Sequence, residues 1–314
     1  MDKIKQFNTI ENRTKYFLKV LTTFCILSII VFASMLFSLD SAHNKQQTLA
    51  EAAPVDPFKD INLEAKAVVV WDVVNNREIF SKNADLALPL ASLTKVMTAV
   101  TADKYLPKKE MIRIKEDYLS PEGDSGLLVG DFWNQKDLRD FTLLTSSNDG
   151  AFALAAVSEV SNEIDSEEEF IQKMNELAVQ IGLLNSHFLN AHGLDASIDR
   201  GGAYGSAKDT ALLFEYAMRN IPELLEATRY KSLTFQSNSK TYEATNTNTH
   251  VDEIPGLIAS KTGFTDLAGG NLVIAFNAGL ERPIIVSVLG SSKEGRFTDS
   301  LQLVHATLEY IKNN

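Results

Sequence analysis

A serine and a lysine three residues apart, Ser92 and Lys95, are the pair of side chains in this sequence best suited to nucleophilic catalysis. A serine hydroxyl is a weak nucleophile at neutral pH, so a base must lie within hydrogen-bond reach of it. Positions i and i+3 of an α-helix share a face, and the apolar residues at 93, 96, 97 and 100 recur at helical spacing. This pattern predicts a helix that buries one apolar stripe and carries Ser92 in its first turn, where free N–H groups favour negative charge.

Two further short motifs follow this pair along the chain, and they are Ser146-Ser147-Asn148 and Lys261-Thr262-Gly263. In this order the three motifs form the signature of serine acyl-transfer enzymes that recognise penicillins. Each motif alone is weak, because the sequence has a second Ser-x-x-Lys at 237–240 and a second Ser-x-Asn at 81–83. We interpret both copies as structural, since the first lies in a polar, turn-like stretch and the second follows a predicted hairpin upstream of the nucleophile.

The residues around these motifs resemble the D-alanyl-D-alanine carboxypeptidase family. Its members are low-molecular-mass penicillin-binding proteins, which are serine peptidases that act on peptidoglycan. The resemblance extends from about residue 63 to the C-terminus and is carried by residues 89–99, 143–149, 187–195 and 261–269. It implies a β-lactamase/transpeptidase-like α/β (α+β) fold with the active site in a cleft between two lobes. We expect no metal ion and no cofactor.

The first two motifs supply the groups that an acyl transfer needs. Ser92 attacks a carbonyl carbon and forms an acyl-enzyme. Lys95 accepts the serine proton only while it is neutral, and burial beside a second cation, Lys261, lowers its pKa. Ser146 can relay a proton toward the leaving amine, and the amide of Asn148 can hold both Lys95 and a substrate peptide.

The third motif is expected to bind the substrate. Lys261 adds positive potential for an anionic substrate, and Thr262 places a hydroxyl beside it. Gly263 allows close backbone approach in an edge strand.

Two further assignments come from the resemblance alone. It implies an oxyanion hole formed by the backbone N–H groups of Ser92 and Phe264. It also implies that Arg296, in a Gly-Arg pair after the last strands, lies near the terminal carboxylate of the substrate. The alternative for Arg296 is an exposed arginine at the start of the closing helix.

Other tempting side chains are better explained by structure. The spacing of His187 and His192 does not fit a helical metal-binding motif, and the residues between them are typical of a loop. His250 is interpreted in the same way. Trp133 is expected to pack in the core, although it could wall the cleft.

Strand patterns at both ends of the domain enclose a mostly helical middle. The predicted strands are 65–72, 78–82, 258–261, 272–277 and 284–289, and a closing helix follows at 297–311. Ser166 with Glu169 and Ser206 with Asp209 are predicted helix starts, and Gly182 a helix end. These elements predict one antiparallel sheet built from both chain termini, flanked by helices and interrupted by an all-helical lobe.

Residues 20–39 carry no charge and are long enough to cross a bilayer as a helix. Lysine and arginine predominate before them, which predicts a cytoplasmic segment at 1–19, a transmembrane signal anchor at 20–39, a linker at 40–60 and an extracytoplasmic catalytic domain at 61–314. The alternative is a cleaved signal peptide, but the small residues at 50–52 lie more than ten positions beyond the apolar run. The single cysteine, Cys25, lies inside the run, so the exported domain contains no disulfide.

Composition limits the partners. The net charge is −11, and beyond residue 45 there are 24 basic against 38 acidic residues, which excludes nucleic acid as a natural partner. The expected function is a membrane-anchored D,D-carboxypeptidase that acts on peptidoglycan stem peptides and binds β-lactams. The alternatives are a D,D-endopeptidase or β-lactamase on the same machinery, and a non-catalytic cell-wall-binding module.

Overall fold

The computed structural model describes residues 2–49, 56–105, 111–123, 125–157 and 166–313. The chain divides into two compact units, Met1–Asp56 and Pro57–Asn314. Among its described residues, the first unit contains one helix, α1 (Asp2–Leu49). Its segment Arg13–Leu39 is long and apolar enough to cross a membrane, with a mean hydropathy of 2.5 in its most apolar stretch.

Helix α1 continues ten residues past the expected end of the apolar span, as far as Leu49. The first part of the predicted linker 40–60 is therefore helical. The reason is compositional: no glycine or proline interrupts the sequence between Leu39 and Pro54, and Ala, Lys, Gln and Leu all favour helix. Residues 50–55, which include the candidate cleavage site, lie outside the described residues.

The second unit is organised around a five-stranded antiparallel sheet, whose strands are β1 (Ala67–Asp72), β2 (Arg77–Lys82), β10 (Leu257–Thr265), β11 (Gly269–Asn277) and β12 (Pro283–Ser291). Their order across the sheet is β10-β11-β12-β1-β2. β1 pairs with β12, so the first and last strands of the unit lie side by side in the sheet. The predicted sheet of both chain termini is confirmed, and β10, which carries Lys261, is its edge strand.

Both faces of the sheet are buried, because alternate residues of each strand enter two different cores. In β1, Val68 and Val70 face the closing helix α7 (Gly295–Asn313), whereas Val69 and Trp71 face the larger core. The larger core contains α2 (Thr94–Tyr105), α3 (Gln135–Thr145), α4 (Asn148–Val157), α5 (Glu167–Ile181) and α6 (Ala207–Asn220). The sheet is thus a buried layer between helices, as expected for near-continuous apolar strands.

Helix α2 is buried on all sides rather than along one stripe, since every residue from Thr94 to Ala102 is buried. The prediction of a single apolar face was wrong because Thr94 and Thr98 pack in the core while their hydroxyls donate to main-chain carbonyls. Thr98 Oγ1, for example, donates to the carbonyl of Ala191 at 2.6 Å. The hydroxyl of Thr101 is buried too, without a hydrogen-bond partner among the described residues. A helix enclosed in this way is held rigidly, which suits an element that carries a reactive side chain.

The lobe inserted between the terminal strands contains short strands as well as helices, so it is not all-helical. Three small antiparallel sheets are formed by β3 (Leu88–Pro89), β6 (His187–Phe188) and β7 (Ala203–Gly205), by β4 (Met111–Arg113) and β5 (Phe132–Asn134), and by β8 (Ser232–Gln236) and β9 (Thr241–Thr245). The predicted helix ends are present: Ser166 and Ser206 cap α5 and α6, and Gly182 ends α5 with a φ of 90°.

Candidate active site

Ser92 and Lys95 lie on either side of a change in helical geometry. Ser92 belongs to a single 3-10 turn, Ala91–Leu93, and α2 begins immediately after it at Thr94. The turn is entered through Ala91, which has a φ of 48°, a left-handed conformation that is unfavourable for a residue with a Cβ. Lys95 Nζ lies 2.8 Å from Ser92 Oγ. The predicted proximity of the two side chains is therefore present, although Ser92 precedes the α-helix instead of occupying its first turn.

Two carbonyl oxygens accept hydrogen bonds from the amine of Lys95. Asn148 Oδ1 accepts at 2.7 Å, and the main-chain oxygen of His192 accepts at 2.6 Å. A neutral lysine has two N–H groups and one lone pair. These two acceptors use both N–H groups, so the lone pair of a neutral Lys95 is left for the Ser92 hydroxyl. The environment thus selects the orientation that a general base needs.

Lys95 and Lys261 are each only 1% exposed. Among the described residues, neither amine has a carboxylate within 4.0 Å, so nothing compensates their burial by opposite charge. Burial, reinforced by the positive charge of Lys261, holds the pKa of Lys95 well below its ordinary value. Burial and the charge of Arg296 lower the pKa of Lys261 to about 7. Lys261 is consequently close to half protonated at neutral pH, and the charge it carries favours the neutral form of Lys95.

Ser146 connects the second motif to the third. It ends α3 in a left-handed conformation, with a φ of 63°, and α4 begins two residues later at Asn148. This conformation costs about 1–2 kcal/mol for a residue other than glycine, and such strain concentrates at functional positions. Lys261 Nζ donates to Ser146 Oγ at 2.9 Å. The strained turn therefore directs the Ser146 hydroxyl toward the edge strand of the sheet.

Strand β10 passes so close to the nucleophile that only glycine fits at position 263. A Cβ on Gly263 would lie 2.8 Å from the carbonyl oxygen of Leu90 and 3.2 Å from the backbone nitrogen of Ser92. The next residue, Phe264, follows on the same strand, and its side chain is 43% exposed, with Lys293 Nζ 5.5 Å from the ring centroid. The backbone N–H groups of Ser92 and Phe264 are therefore carried by two segments in direct contact.

Arg296 is buried, with 7% of its surface exposed, and the alternative of an exposed arginine is wrong. Its Nη1 donates to the carbonyl oxygen of Gly263 at 2.9 Å. Its Nε is buried and has no hydrogen-bond partner among the described residues. Because this Nε is closed to solvent, an anion that binds Arg296 would have to reach the guanidinium through its Nη groups.

Several contacts at the site could not be anticipated from residue type. Asn148 Nδ2 donates to the carbonyl of Glu122 at 2.6 Å, and Ser125 Oγ donates to Asp149 at 2.7 Å. Residues 122 and 125 therefore lie against the second motif. Thr262 Oγ1 donates to Thr247 Oγ1 at 2.5 Å. The sequence does not show which main-chain carbonyl will accept a hydrogen bond, and a single serine or threonine, such as Ser125 or Thr247, is too common to be singled out. The His192 segment was noticed through the family resemblance and its two histidines, and neither pointed to the main-chain carbonyl of His192.

The side chains set aside from sequence lie where packing explains them. Burial and the charge of Lys95 lower the pKa of His192 to about 4, so its imidazole is neutral, and its Nδ1 accepts from the N–H of Leu194 at 3.1 Å. His250 stacks on Phe297, and Trp133 is fully buried. Within the described ranges, no three His, Cys, Asp or Glu side chains gather as a metal site.

The second Ser-x-x-Lys copy forms the turn of the β8–β9 hairpin, where Ser237 donates to the buried Asp131. The stretch is a turn, as its polar composition indicates, but its serine is buried and anchors the hairpin. Its hydrogen bonds are structural.

The relatives found by comparison with known proteins include carboxypeptidases and an endopeptidase. The chain is 30% identical over 259 residues to the D-alanyl-D-alanine carboxypeptidase DacC of Escherichia coli, covering 77% of this chain and 61% of that protein. It is 28% identical over 247 residues to a D-alanyl-D-alanine endopeptidase of Pseudomonas aeruginosa, covering 77% and 76%. The chain spans about three fifths of the length of the first carboxypeptidases that it matches.

A solved structure gives the same result for the fold. Penicillin-binding protein D2 of Listeria monocytogenes, in its ampicillin-bound form, superposes with a TM-score of 0.67 at 29% identity, covering 79% of this chain and 98% of that one. The sequence model of the D-alanyl-D-alanine carboxypeptidases, peptidase family S11, matches residues 50–293. That match includes all three motifs and most of the chain, and this protein therefore belongs to the D-alanyl-D-alanine carboxypeptidase family.

Proposed function

We propose that this protein is a serine-type D-alanyl-D-alanine carboxypeptidase, which removes the terminal D-alanine from peptidoglycan stem peptides through an acyl-enzyme on Ser92. The observation that carries the proposal is the environment of Lys95: a buried amine of lowered pKa, held by two carbonyl acceptors, 2.8 Å from a serine hydroxyl. This arrangement activates a nucleophile. Family membership supplies the substrate class.

Acylation can be derived from this geometry. The Ser92 hydroxyl transfers its proton to the lone pair of Lys95 while its oxygen forms a bond to the carbonyl carbon of the penultimate D-alanine. The carbonyl π electrons move to oxygen, where the N–H groups of Ser92 and Phe264 stabilise the negative charge. When the tetrahedral intermediate collapses, the bond from carbon to nitrogen breaks. Ser146 relays the proton that Lys95 took from Ser92 to the departing amine, which returns Lys95 to its neutral form, and D-alanine leaves.

Deacylation repeats these steps with water in place of the serine. Lys95, neutral again, accepts a proton from a water molecule that attacks the ester carbonyl. The bond between the acyl carbon and Ser92 Oγ breaks, and the serine recovers its proton. The shortened peptide is released with a new carboxylate.

A β-lactam undergoes the same acylation step, but its acyl-enzyme is not deacylated at an appreciable rate. Its strained amide is attacked by Ser92, but the leaving nitrogen stays attached through the second ring. The solved relative with bound ampicillin supports this proposal. We expect a long-lived penicilloyl ester on Ser92.

An endopeptidase that cuts cross-links is the second candidate, because one of the relatives is named as such. Both reactions use the same acyl-enzyme, and they differ in the leaving group on the far side of the scissile bond. A carboxypeptidase must recognise the free carboxylate of the terminal D-alanine, and the buried Arg296 against Gly263 favours that specificity.

For localisation, we propose that α1 crosses the membrane once through residues 20–39, with residues 1–19 in the cytoplasm and the catalytic unit outside. The proposal is supported by the apolar segment Arg13–Leu39 and by the basic residues that precede residue 20. Proteolysis of intact spheroplasts tests it. The catalytic unit should be shed and a small N-terminal remnant retained, whereas a soluble mature protein beginning near residue 53 would indicate cleavage.

The activity is tested with two substrates offered to the purified full-length protein in detergent: a pentapeptide ending in D-Ala-D-Ala and cross-linked muropeptides. Release of one D-alanine from the pentapeptide, identified by mass, is the expected result. Preferential cleavage of the cross-links would make the endopeptidase the correct assignment. Turnover of neither substrate, with no penicillin adduct, would exclude both enzymes.

A further inference from the structure

The loop formed by residues 190–195 has no role in the reaction proposed above except for one carbonyl oxygen, yet it contacts three separate parts of the site. At one end, the carbonyl of His192 accepts from Lys95 Nζ at 2.6 Å. In the middle, Gly193 lies against the nucleophile turn, and a Cβ placed on it would be 2.0 Å from the carbonyl oxygen of Ala91. At the other end, Asp195 reaches the last residue of β10.

Internal hydrogen bonds make this loop a rigid unit. Asn190 Oδ1 accepts from the N–H of Gly193 at 2.6 Å, and Asn190 Nδ2 donates to the carbonyl of Leu194 at 2.9 Å. The N–H of Leu194 donates to His192 Nδ1 at 3.1 Å. With one asparagine bonded across the loop in both directions, the His192 carbonyl and the Asp195 side chain cannot move independently.

The contact at Asp195 is a hydrogen bond between side chains. Thr265 Oγ1 donates to Asp195 Oδ1 at 2.9 Å, and the N–H of Ala268 donates to the same hydroxyl at 3.1 Å. The N–H of Leu267 lies 3.5 Å from Asp195 Oδ2. The carboxylate thus holds the end of β10 and the start of the turn into β11.

The hydrogen bond between Thr265 and Asp195 matters because of where Thr265 lies on β10. Thr265 directly follows Phe264, whose backbone N–H is the second donor of the proposed oxyanion hole. An oxyanion hole acts only when its donors lie at hydrogen-bond distance from the developing charge. Any displacement of Thr265 would move the Phe264 N–H with it.

We propose that Asp195 is a positioning residue, which fixes the Phe264 N–H relative to Ser92 by tying the end of β10 to the loop that binds Lys95. The inference rests on the proposed acylation of Ser92. The rigid loop 190–195 would then connect Lys95, which accepts the serine proton, with the Phe264 N–H, which stabilises the negative charge.

The test compares four variants of the full-length protein: Asp195→Ala, Asp195→Asn, Thr265→Val and the double variant Asp195→Ala/Thr265→Val. Asparagine keeps an oxygen that can accept from Thr265, and valine keeps the shape and strand preference of threonine without its hydroxyl. Asp199→Asn is the matched control, because this exposed carboxylate in the following turn accepts from Ser197 Oγ at 2.5 Å.

Asp195→Ala should lower the second-order rate of acylation by benzylpenicillin about 10- to 100-fold, less than the roughly 100- to 1,000-fold lost when an oxyanion donor is deleted. Asp195→Asn should recover most of that loss. Thr265→Val should lose at least as much as Asp195→Ala, because it also removes the acceptor of the Ala268 N–H. The double variant should be no worse than Thr265→Val, because both single changes remove the same hydrogen bond between the two side chains. Asp199→Asn should remain within about twofold of the wild-type protein, a change smaller than a single solvated contact makes.

A boronic acid analogue of the substrate separates positioning from a general loss of structure. Its tetrahedral adduct with Ser92 places an oxygen in the oxyanion hole, so its affinity should fall in parallel with the acylation rate. The KM for a D-Ala-D-Ala peptide should change much less, because ground-state binding does not depend on that donor.

The inference is overturned if Asp195→Ala acylates at the wild-type rate, if the losses of the two single variants add, or if KM rises while boronate affinity is unchanged. If Asp195→Ala fails to fold, Thr265→Val alone decides the question, since it removes the same hydrogen bond from the strand side. A wild-type protein that forms no penicillin adduct would overturn both this inference and the proposed function. Normal wild-type acylation with unaffected variants would overturn this inference only.

Discussion

Lys261 Nζ lies 2.9 Å from Ser146 Oγ, and this contact joins the edge strand of the sheet to the strained turn between α3 and α4. The hydroxyl that is proposed to deliver a proton to the leaving amine is therefore hydrogen-bonded to a cation. While Lys261 is protonated, it donates to Ser146 and leaves the serine hydrogen free to point elsewhere. The ionisation of Lys261 consequently controls both the positive potential of the cleft and the orientation of the Ser146 hydroxyl.

We expect acylation by an anionic β-lactam to slow above pH 7. The reactive form has Lys95 neutral and Lys261 charged. The rate therefore rises as Lys95 loses its proton, well below the ordinary lysine pKa, and falls as Lys261 loses its proton around its pKa of about 7. The second-order rate of acylation by benzylpenicillin, measured from pH 5 to 9, should decrease through pH 7 as Lys261 loses its proton.

A neutral analogue provides the control for this pH dependence. The methyl ester of benzylpenicillin has no carboxylate for Lys261 to attract, so its descending limb should be shallower or displaced to higher pH. Superimposable profiles for the acid and the ester would show that Lys261 does not act through charge attraction.

Replacing the nucleophile should abolish covalent labelling. Incubation with benzylpenicillin should add one penicilloyl group to the wild-type protein, and peptide mass spectrometry should locate it on Ser92. Ser92→Ala should remain unmodified, whereas Ser237→Ala should label normally, because the second Ser-x-x-Lys lies in the β8–β9 turn bonded to Asp131. An adduct that persists in Ser92→Ala would refute the assignment of the nucleophile.

The site could be predicted from the sequence where short motifs place side chains on regular elements. Ser92 with Lys95, and Lys261 with its neighbours on an edge strand, depend only on helix and strand periodicity. The spacing of two motifs along the chain does not determine how they contact each other in the fold. The contact of Lys261 with Ser146 depends on the left-handed backbone conformation of Ser146, which the residue type serine does not predict. The same holds for the His192 carbonyl, since every residue carries one.

The fold could be predicted where periodic patterns are long, and the errors in the predicted elements have local causes. Strands buried on both faces give long apolar runs, which made the terminal sheet evident. The burial of helix α2 was underestimated because threonines look polar in the sequence, whereas Thr94 and Thr98 are buried with their hydroxyls bonded to main-chain carbonyls. The short strands of the inserted lobe were missed because three alternating residues, such as those of Phe132–Asn134, are too few to give a periodic signal.

Gly193→Ala should damage both stability and acylation. Its φ of 81° and the 2.0 Å approach of a new Cβ to the Ala91 carbonyl oxygen would force the loop away from the nucleophile turn. Left-handed strain alone costs about 1–2 kcal/mol, and the steric clash adds to it. We expect a Tm fall well beyond the roughly 2–8 °C of strain alone and a large loss in the rate of penicillin acylation.

Gly182→Ala separates strain from contact. Gly182 has a φ of 90°, but a Cβ there would meet nothing within 4 Å. This variant should lose only the few degrees that left-handed strain explains and should acylate at the wild-type rate. Equal effects of the two substitutions would mean that the approach of Gly193 to Ala91 is unimportant.

Arg296 is the residue that should distinguish a carboxypeptidase from an endopeptidase. It is buried at the start of α7, its Nη1 donates to the carbonyl of Gly263 at 2.9 Å, and its Nε lacks a partner among the described residues. A hydrogen bond to a charged group is worth about 1.5–3 kcal/mol, which corresponds to roughly ten- to a hundredfold in kcat/KM. Arg296→Ala should therefore slow release of D-alanine from a free-acid peptide by about that factor relative to the wild-type protein.

The matched peptide amide shows whether this loss reflects recognition of the carboxylate. Removing Arg296 also frees the Gly263 carbonyl and can disturb β10, and that disturbance would slow the acid and the amide alike. Only the additional loss on the free acid measures the contact with the carboxylate, and we expect it to account for most of the effect. Arg219→Ala is the control for removing an arginine that donates to a main-chain carbonyl, that of Val73 at 2.8 Å, and it should leave the ratio of the two rates unchanged. Equal losses on acid and amide in Arg296→Ala would mean that Arg296 only supports the strand, and the argument for exopeptidase specificity would then fail.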